Sequence, residues 1–308
     1  MPEPFSAVAL CRQNITDFES VDSKIRSCPT IASLRSVNEA LTKLTLQPNS
    51  SVNEIAEVIR RDLSLTTRLL RLVNSVFGGL SVKINSIEEA IFFLGLRQIR
   101  QLAMTTRVVE EMESFKNSEV EVNWVSVWRH SIATAVLLRE ILTMTNGVTE
   151  DDTYYIIGLL HEIGKLVMVN AFAEELKESL EFEETVSADF LERERRTFGF
   201  THADLGAIYL ERNGLSGEVV KAIYFHHEPE RAQGNPVFAA GLQVADYLAR
   251  YSGCTSGFEP KSNARYGEWE ELDGWKILFS GSRSEQQYAR ASVMRSIDSL
   301  PSILQGLL

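Results

Sequence analysis

The chain has 308 residues, enough for one large domain or two ordinary ones, and 44% of them are apolar, which supports a sizeable core. Lys and Arg number 31 against 42 Asp and Glu, a net charge of −11. This excess of acid argues against binding to a nucleic-acid backbone or to anionic lipid, because both need a basic protein face. Three widely separated cysteines, Cys11, Cys28 and Cys254, predict no disulfide framework, so we expect a cytoplasmic protein.

The N-terminal third predicts helices and contains no histidine. Residues 1–20 show no clear periodicity, and residues 1–24 are predicted to form a loose arm without a secretory signal. Apolar residues repeat at helical spacing over 65–76, which predicts a core-facing stripe. A capping box begins at Ser86, and Gly95 separates two short helices. We therefore predict an N-terminal helical half over residues 25–115.

From residue 126 onward the pattern predicts longer helices, separated by Gly, Asn and Pro. Strand signals are weak, because no run of alternating β-branched residues is present, so the predicted fold class is all-α. The predicted helices span residues 126–144, 152–172, 186–198, 202–213, 216–227 and 236–251, with a closing helix at 287–308. We predict a second helical half over 116–252, then an irregular excursion at 253–286 before the closing helix, the two together forming 253–308. Charged residues interrupt the apolar run at 156–172, so no membrane span is expected.

All five histidines fall between residues 130 and 227, and acidic residues accompany them. Imidazole and carboxylate together form a ligand set for divalent transition metals, and iron, manganese, nickel and zinc all suit it. The candidate ligands are His130, His161, Glu162, His202, His226, His227 and Asp246. One octahedral ion takes six ligands, so seven favour two ions that share a bridging carboxylate. For any single histidine, a hydrogen-bonded core residue is the alternative interpretation.

Lys165 lies four residues after His161, on the same face of the predicted helix. Metal pairs of this kind bind the two oxygens of an in-line phosphoryl displacement. Lys165 is therefore a candidate catalytic residue that would neutralise charge on a phosphate oxygen while a metal-activated water attacks. The alternative is a surface lysine whose alkyl chain covers the helix.

Two families share parts of this pattern. His130, the His161-Glu162 pair and Asp246 resemble the His…His-Asp…Asp pattern of the HD superfamily of metal-dependent phosphohydrolases. A more specific resemblance, to the HDOD domain, lies in the phrases at 61–75 and 84–96 and in those at 205–229. The HDOD domain is an HD-related bacterial signalling module, and the resemblance runs from about residue 28 to residue 250.

The resemblance implies an all-helical protein in which an N-terminal half packs on an HD-like half. Many HDOD domains have lost their metal ligands and act as scaffolds in signalling, whereas this chain keeps candidate ligands that divide into two groups. The first ligand group, which would hold one ion, is His130, His161, Glu162 and Asp246. The second ligand group, matching additional positions of the HD-GYP cyclic-dinucleotide phosphodiesterases, is His202, His226 and His227, with Glu162 bridging. Lys165 matches the lysine that follows the HD pair in those enzymes.

Two departures separate this chain from the phosphodiesterases. Glu162 stands where the motif has aspartate, and its extra methylene would move the carboxylate by roughly 1.5 Å. The segment after His227 lacks the Gly-Tyr-Pro signature, so recognition of a cyclic dinucleotide by that loop is unsupported.

These features predict a bacterial cytoplasmic signal-transduction protein with an HDOD domain that binds one or two divalent transition-metal ions. The alternative is a metal-dependent phosphohydrolase that acts on a nucleotide or a cyclic dinucleotide. A DNA-binding helix-turn-helix at 87–107 is disfavoured by the acidic charge. The expected partner is a signalling protein or a small phosphorylated ligand, with no nucleic acid and no membrane. The oligomeric state is left open.

Overall fold

The computed structural model describes residues 5–30, 52–60, 66, 69–70, 73–74, 84–115, 120–145, 153–181, 190–258 and 262–307. The regular elements in these ranges are all helical, which confirms the predicted all-α class. The helices α1 to α14 span Ala7–Asn14, Phe18–Arg26, Val52–Arg60, Ile87–Glu113, Trp124–Met144, Thr153–Leu160, Ile163–Ala171, Ala173–Glu181, Phe190–Phe198, His202–Arg212, Gly217–Tyr224, Val237–Tyr251, Asp273–Leu278 and Arg283–Leu307. Two short 3₁₀ helices lie at Pro229–Arg231 and Glu268–Glu271. Within these ranges, none of the helices combines the length and the apolar character that crossing a membrane requires.

Helix α5 lies at the centre of the second half. Its N-terminus is capped by Asn123, whose side chain accepts a hydrogen bond from the backbone of Ser126. The middle of the helix is buried on nearly every side, as expected of a helix that is apolar around its circumference. It packs against α6, α12 and α14, while α10 packs against α7 and α11. These two clusters of helices carry all the candidate ligands.

The two halves meet along α4 and α6. Helix α4 is kinked at Gly95, whose φ of 76° is in the left-handed region, so the prediction of a break at this glycine is confirmed. After the kink, Gln101 lies within hydrogen-bond distance of the Tyr154 hydroxyl, and Thr105 of the Tyr155 hydroxyl, at 3.3 and 3.0 Å. Of the stripe predicted at 65–76, Leu69 is fully buried, and positions 65, 72 and 76 lie outside the described residues. The predicted domain limits stay predictions.

The prediction of a loose N-terminal arm is wrong, because α1 and α2 pack against α10 of the second half. Ser6 caps α1 and also donates to Glu211 at 2.7 Å. Arg212 binds the buried carboxylate of Asp22 in α2 at 2.9 Å. The docking partners lie about two hundred residues away in sequence, which is why local periodicity does not reveal them.

The prediction of a single helix at 152–172 is also wrong. The structure has α6 and α7 instead, with His161 and Glu162 in the turn between them. Similarly, the helix predicted at 216–227 ends at Tyr224, so His226 and His227 follow its end. These four of the seven candidate ligands therefore lie just outside helices, where a side chain can turn toward a neighbouring helix.

The excursion is more regular than predicted. It contains the second 3₁₀ helix and α13, and it buries Trp269 and Trp275. Gln243 of α12 connects it to the histidine-bearing segment, since its amide donates to the carbonyl of His227 and accepts from the backbone of Gly274. The excursion therefore holds part of the candidate site in place.

Gly164 allows α7 and α10 to pack in backbone contact. A Cβ at this position would overlap the carbonyl oxygen of His202 and lie 2.8 Å from the backbone nitrogen of Gly206. Because both neighbours are backbone atoms, we expect Gly164→Ala to lower the free energy of unfolding by about 3 kcal/mol, through overpacking. Urea denaturation would measure this, with Gly217→Ala, where the nearest atom is 3.9 Å away, as a control. A Gly164→Ala variant as stable as that control would contradict the expectation.

Candidate metal centre

The first ligand group is brought together from three parts of the fold. His130 lies in α5, His161 and Glu162 lie in the turn after α6, and Asp246 lies in α12. Each offers a donor atom, and the four atoms lie within 4.8 Å of one another. Nε2 of His130 is 3.2 Å from Nε2 of His161 and 3.1 Å from Oδ1 of Asp246. All four side chains are buried, so the group forms a compact interior site.

The second ligand group meets at the N-terminus of α10. Thr201 and Asp204 form a capping box that begins the helix, and His202 is its first residue. His226 and His227 approach from the end of α11. The three donor atoms lie within 4.8 Å of one another, and Nε2 of His202 is 2.9 Å from Nε2 of His227. The structure thus brings together all seven predicted ligands in two adjacent groups.

Glu162 faces both groups with its two carboxylate oxygens. Oε1 is 3.9 Å from Nε2 of His130 and 3.8 Å from Nε2 of His161. Oε2 is 3.8 Å from Nε2 of His202, in the second ligand group. The longer glutamate side chain therefore still reaches the position between the groups that a bridging carboxylate would occupy.

Hydrogen bonds fix the protonation of three imidazoles. Nδ1 of His130 lies 2.8 Å from the carbonyl of Cys254, Nδ1 of His161 lies 2.8 Å from that of Gly158, and Nδ1 of His226 lies 2.6 Å from that of Ile223. A carbonyl oxygen can only accept, so each Nδ1 carries the proton and donates it. Each neutral ring therefore directs an Nε2 lone pair into the cluster. This is the arrangement in which proteins present histidine to a metal.

The inward lone pairs have no hydrogen-bond donor among the residues that the structure describes. Nε2 of His130 and Nε2 of His161 face each other, and neither can donate when the proton is on Nδ1. Within the described ranges, Nε2 of His226 and Oδ1 of Asp246 are buried without a hydrogen-bond partner. Buried acceptors that converge in this way are satisfied by a cation or by ordered water. The donor set therefore fits a divalent transition metal, while the identity and number of ions stay predictions.

A cation outside the cluster balances each carboxylate. Nζ of Lys165 lies 2.9 and 2.8 Å from the two oxygens of Glu162, and Nη2 of Arg250 lies 2.6 Å from Oδ2 of Asp246. Burial alone would raise the pKa of Glu162, but the ammonium of Lys165, followed by His202, holds that pKa well below its usual range. Arg250 likewise outweighs burial and lowers the pKa of Asp246. Both carboxylates are therefore ionised and available as ligands.

The match to a family model decides the classification. The model of the HDOD domain matches residues 31–229, which is more than half of the chain and contains six of the seven ligands. The chain belongs to the HDOD domain family. Asp246 lies beyond the matched range, and its place in the first ligand group comes from the fold. The likeness to HD-GYP phosphodiesterases stays a prediction.

Solved structures share the fold of this HDOD protein. An HDOD domain protein of unknown function from Geobacter sulfurreducens aligns with a TM-score of 0.75 at 22% identity, covering 95% of this chain and 99% of the other. A protein from Shewanella amazonensis SB2B, provisionally named a phosphohydrolase, aligns with a TM-score of 0.67 at 20% identity, over 94% of this chain and 98% of the other. A protein from Marinobacter aquaeolei VT8, provisionally named a signal transduction protein, gives 0.66 at 19%, over 98% and 66%. At these identities the likeness establishes the fold alone.

Two curated relatives also match parts of the HDOD chain, and both are uncharacterised. One, from Treponema pallidum (strain Nichols), is 28% identical over 182 residues, which is 58% of this chain and 34% of the relative. The other, YuxH from Bacillus subtilis (strain 168), is 29% identical over 121 residues, which is 39% of this chain and 28% of the relative. The chain therefore aligns with about a third of the length of each relative.

The most important residue that sequence reasoning missed in this HDOD domain is Glu194 in α9. Its buried carboxylate accepts from the backbone nitrogen of His202 at 3.0 Å and from Nδ1 of the same residue at 2.7 Å. Burial alone would lower the pKa of His202, but Glu194 and Glu162 raise it. Glu194 lies in a run of charged residues, which predicts an exposed helix face, so the sequence carries no clear sign of this role.

The structure distinguishes between the two interpretations of Lys165. It is buried, so the alternative of a surface lysine is wrong. Besides Glu162, its ammonium contacts Oγ of Ser256 at 3.3 Å and lies 4.6 Å from the ring centre of Phe190. Its contacts hold the Glu162 carboxylate, and a catalytic contact between Lys165 and a phosphate stays a prediction.

Proposed function

We propose that this chain is an HDOD signal-transduction protein that binds one or two divalent transition-metal ions in its two ligand groups. The observation that carries the proposal is the set of buried, inward-facing acceptors, above all the facing Nε2 atoms of His130 and His161. A scaffold without a metal would be expected to fill this interior with apolar or mutually hydrogen-bonded side chains. A bacterial, cytoplasmic setting is part of the proposal, and the three unpaired cysteines support the reducing compartment that it implies.

The residues divide the work of such a site. One ion would be held by His130, His161 and Asp246. The second ligand group would hold the other ion, and Glu162 would bind both. Bound divalent ions supply Lewis acidity and lower the pKa of a coordinated water. Lys165 and Arg250 keep the two carboxylates ionised and oriented. The partner would be a signalling protein or a small phosphorylated ligand.

A second candidate function is hydrolysis of a phosphate ester, in a nucleotide or a cyclic dinucleotide. One observation favours it: the carboxylate of Glu162 faces both ligand groups, which is the arrangement that a pair of catalytic ions requires. The same geometry would also serve a structural or sensory metal site. Turnover of bis-p-nitrophenyl phosphate and of cyclic dinucleotides, compared between wild type and His161→Ala, separates the two functions.

Metal stoichiometry tests the proposal directly. We expect untagged wild-type protein to retain one or two ions per chain by elemental analysis, and the His161→Ala/Asp246→Ala variant to lose those held by the first ligand group. Asp298→Ala, an exposed acid on α14, is the matched control and should retain the wild-type metal content. Asp246→Asn keeps the side-chain volume if the double variant unfolds. Metal-free wild-type protein that fails to bind added manganese, iron, nickel or zinc would refute the proposal.

A further inference from the structure

A pocket of about 270 Å³ opens against the second ligand group. His227 forms part of its wall and is only partly buried, whereas the other six candidate ligands are buried. Asn14 at the end of α1 and Tyr224 at the end of α11 also line it. The volume lies near the lower limit for small-molecule sites, so it suits a phosphate group with a small substituent. This pocket therefore meets the histidine cluster at its edge, at His227.

Two arginines and one glutamate lie on the pocket wall beside His227. Nη2 of Arg195 is 3.0 Å from Oε1 of Glu228, and Nη1 of Arg231 is paired with Oε2 of the same residue. Partial burial alone would raise the pKa of Glu228, but Arg231 and Arg195 lower it, so the carboxylate is ionised. The three side chains together carry one net positive charge. One carboxylate cannot saturate the ten donor hydrogens of two guanidinium groups, so donors remain for an anion.

The other acidic residue on the wall is already engaged. Oδ2 of Asp204 accepts from the backbone nitrogen and the hydroxyl of Thr201, both at 2.8 Å. Those bonds belong to the capping box of α10, so the Asp204 carboxylate is held toward its own helix. With Asp204 included, the wall carries two positive and two negative charges, so an anion would be held by the guanidinium donors of Arg195 and Arg231 and not by net charge. Guanidinium groups bind phosphate through paired hydrogen bonds, and Glu228 takes up the same donors in the absence of a ligand.

We propose that this pocket is a phosphate-binding subsite, in which Arg195 and Arg231 recognise the phosphoryl group of a small ligand and Glu228 competes with it. The inference rests on the proposed function in one respect, since the bound phosphate would lie beside the second ligand group. The segment after His227 lacks the Gly-Tyr-Pro signature. In this proposal, Arg231 and Glu228 of that segment take part in recognising the ligand instead. A bound phosphoryl group releases Glu228 from the two arginines.

Calorimetric titration with inorganic phosphate tests the subsite on the full chain, in metal-free and metal-loaded protein. We expect Arg195→Gln/Arg231→Gln to weaken phosphate binding at least 10-fold, and Glu228→Gln to strengthen it several-fold because the competing charge is removed. The exposed neighbours provide matched controls, Arg196→Gln and Glu230→Gln, which should leave binding unchanged. All five positions are on the surface or at its edge, so the variants should fold, and thermal unfolding verifies this.

The outcomes separate this subsite from the metal proposal. Arginine-dependent phosphate binding in either form of the protein supports the subsite, even if elemental analysis finds no metal. Absence of phosphate binding in both forms overturns it, and so does binding that the double arginine variant leaves unchanged. A weakening equal to that of the Arg196→Gln control would also overturn it, since it would reflect the loss of general positive charge.

Discussion

Replacing Lys165 with methionine is expected to destabilise the metal-free protein by about 3 kcal/mol, as measured for other buried ion pairs that lose one partner. The ammonium contacts both oxygens of Glu162 at 2.8 and 2.9 Å, and both side chains are about 95% buried. Methionine preserves most of the volume, so the main loss is the charge that offsets an ionised carboxylate in the interior. Urea unfolding of chelator-treated protein, followed by circular dichroism, would measure the change in the free energy of unfolding.

A double variant identifies the cause of that loss. Lys165→Met/Glu162→Gln removes both charges, so it should recover most of the stability lost in the single variant. Lys177→Met, on the exposed face of α8, is the control for the substitution itself and should change stability by less than about 0.5 kcal/mol. Added divalent metal should stabilise Lys165→Met more than wild type, because a bound cation replaces the lost ammonium. A single variant as stable as the Lys177→Met control would contradict the interior ion pair.

Much of the helical fold follows from local pattern. The helix predicted at 236–251 is α12, Val237–Tyr251, and the one predicted at 202–213 is α10, His202–Arg212. In both, apolar residues recur at helical spacing and a polar or breaking residue precedes the start. The turn at His161 carries neither glycine nor proline. Two adjacent apolar helices with different axes have the same periodic signature as one long helix, so the pattern could not reveal this break.

The candidate site was predictable in its ligands and less so in its supporting contacts. Histidine and carboxylate are rare in apolar helices, so these residues stand out in the sequence. The seven ligands selected on that basis converge in the structure. Arg250 could have been found, since it lies four residues after Asp246 on the same helix face. The three backbone carbonyls that accept from the histidines could not have been identified, because every residue has a carbonyl. They belong to Cys254, Gly158 and Ile223. Glu194 contacts His202, eight residues later, across the turn between α9 and α10, and nothing in the charged sequence around it indicates that contact.

That contact gives the second large expected effect: Glu194→Gln should weaken metal binding at the second ligand group by about 10- to 100-fold, as for other partners of metal-binding histidines. The carboxylate of Glu194 accepts a hydrogen bond from Nδ1–H of His202. This bond makes Nε2 of His202 a more basic ligand for a metal ion. Glutamine can still accept that hydrogen bond, but without the negative charge. Competition against a chelator of known affinity measures the loss, and Glu192→Gln, an exposed residue of the same helix, is the control.

The pattern of losses distinguishes a ligand-tuning role from a structural one. If Glu194 acts through His202, one ion weakens while the ion at the first ligand group keeps its affinity, and Glu194→Asp restores part of the difference. If Glu194 only holds α9 against α10, thermal stability falls and both affinities change together. Wild-type affinity at both groups would contradict the role of Glu194. Because His202 and His130 have separate hydrogen-bond partners, Glu194 and the Cys254 carbonyl, the two groups can be perturbed one at a time.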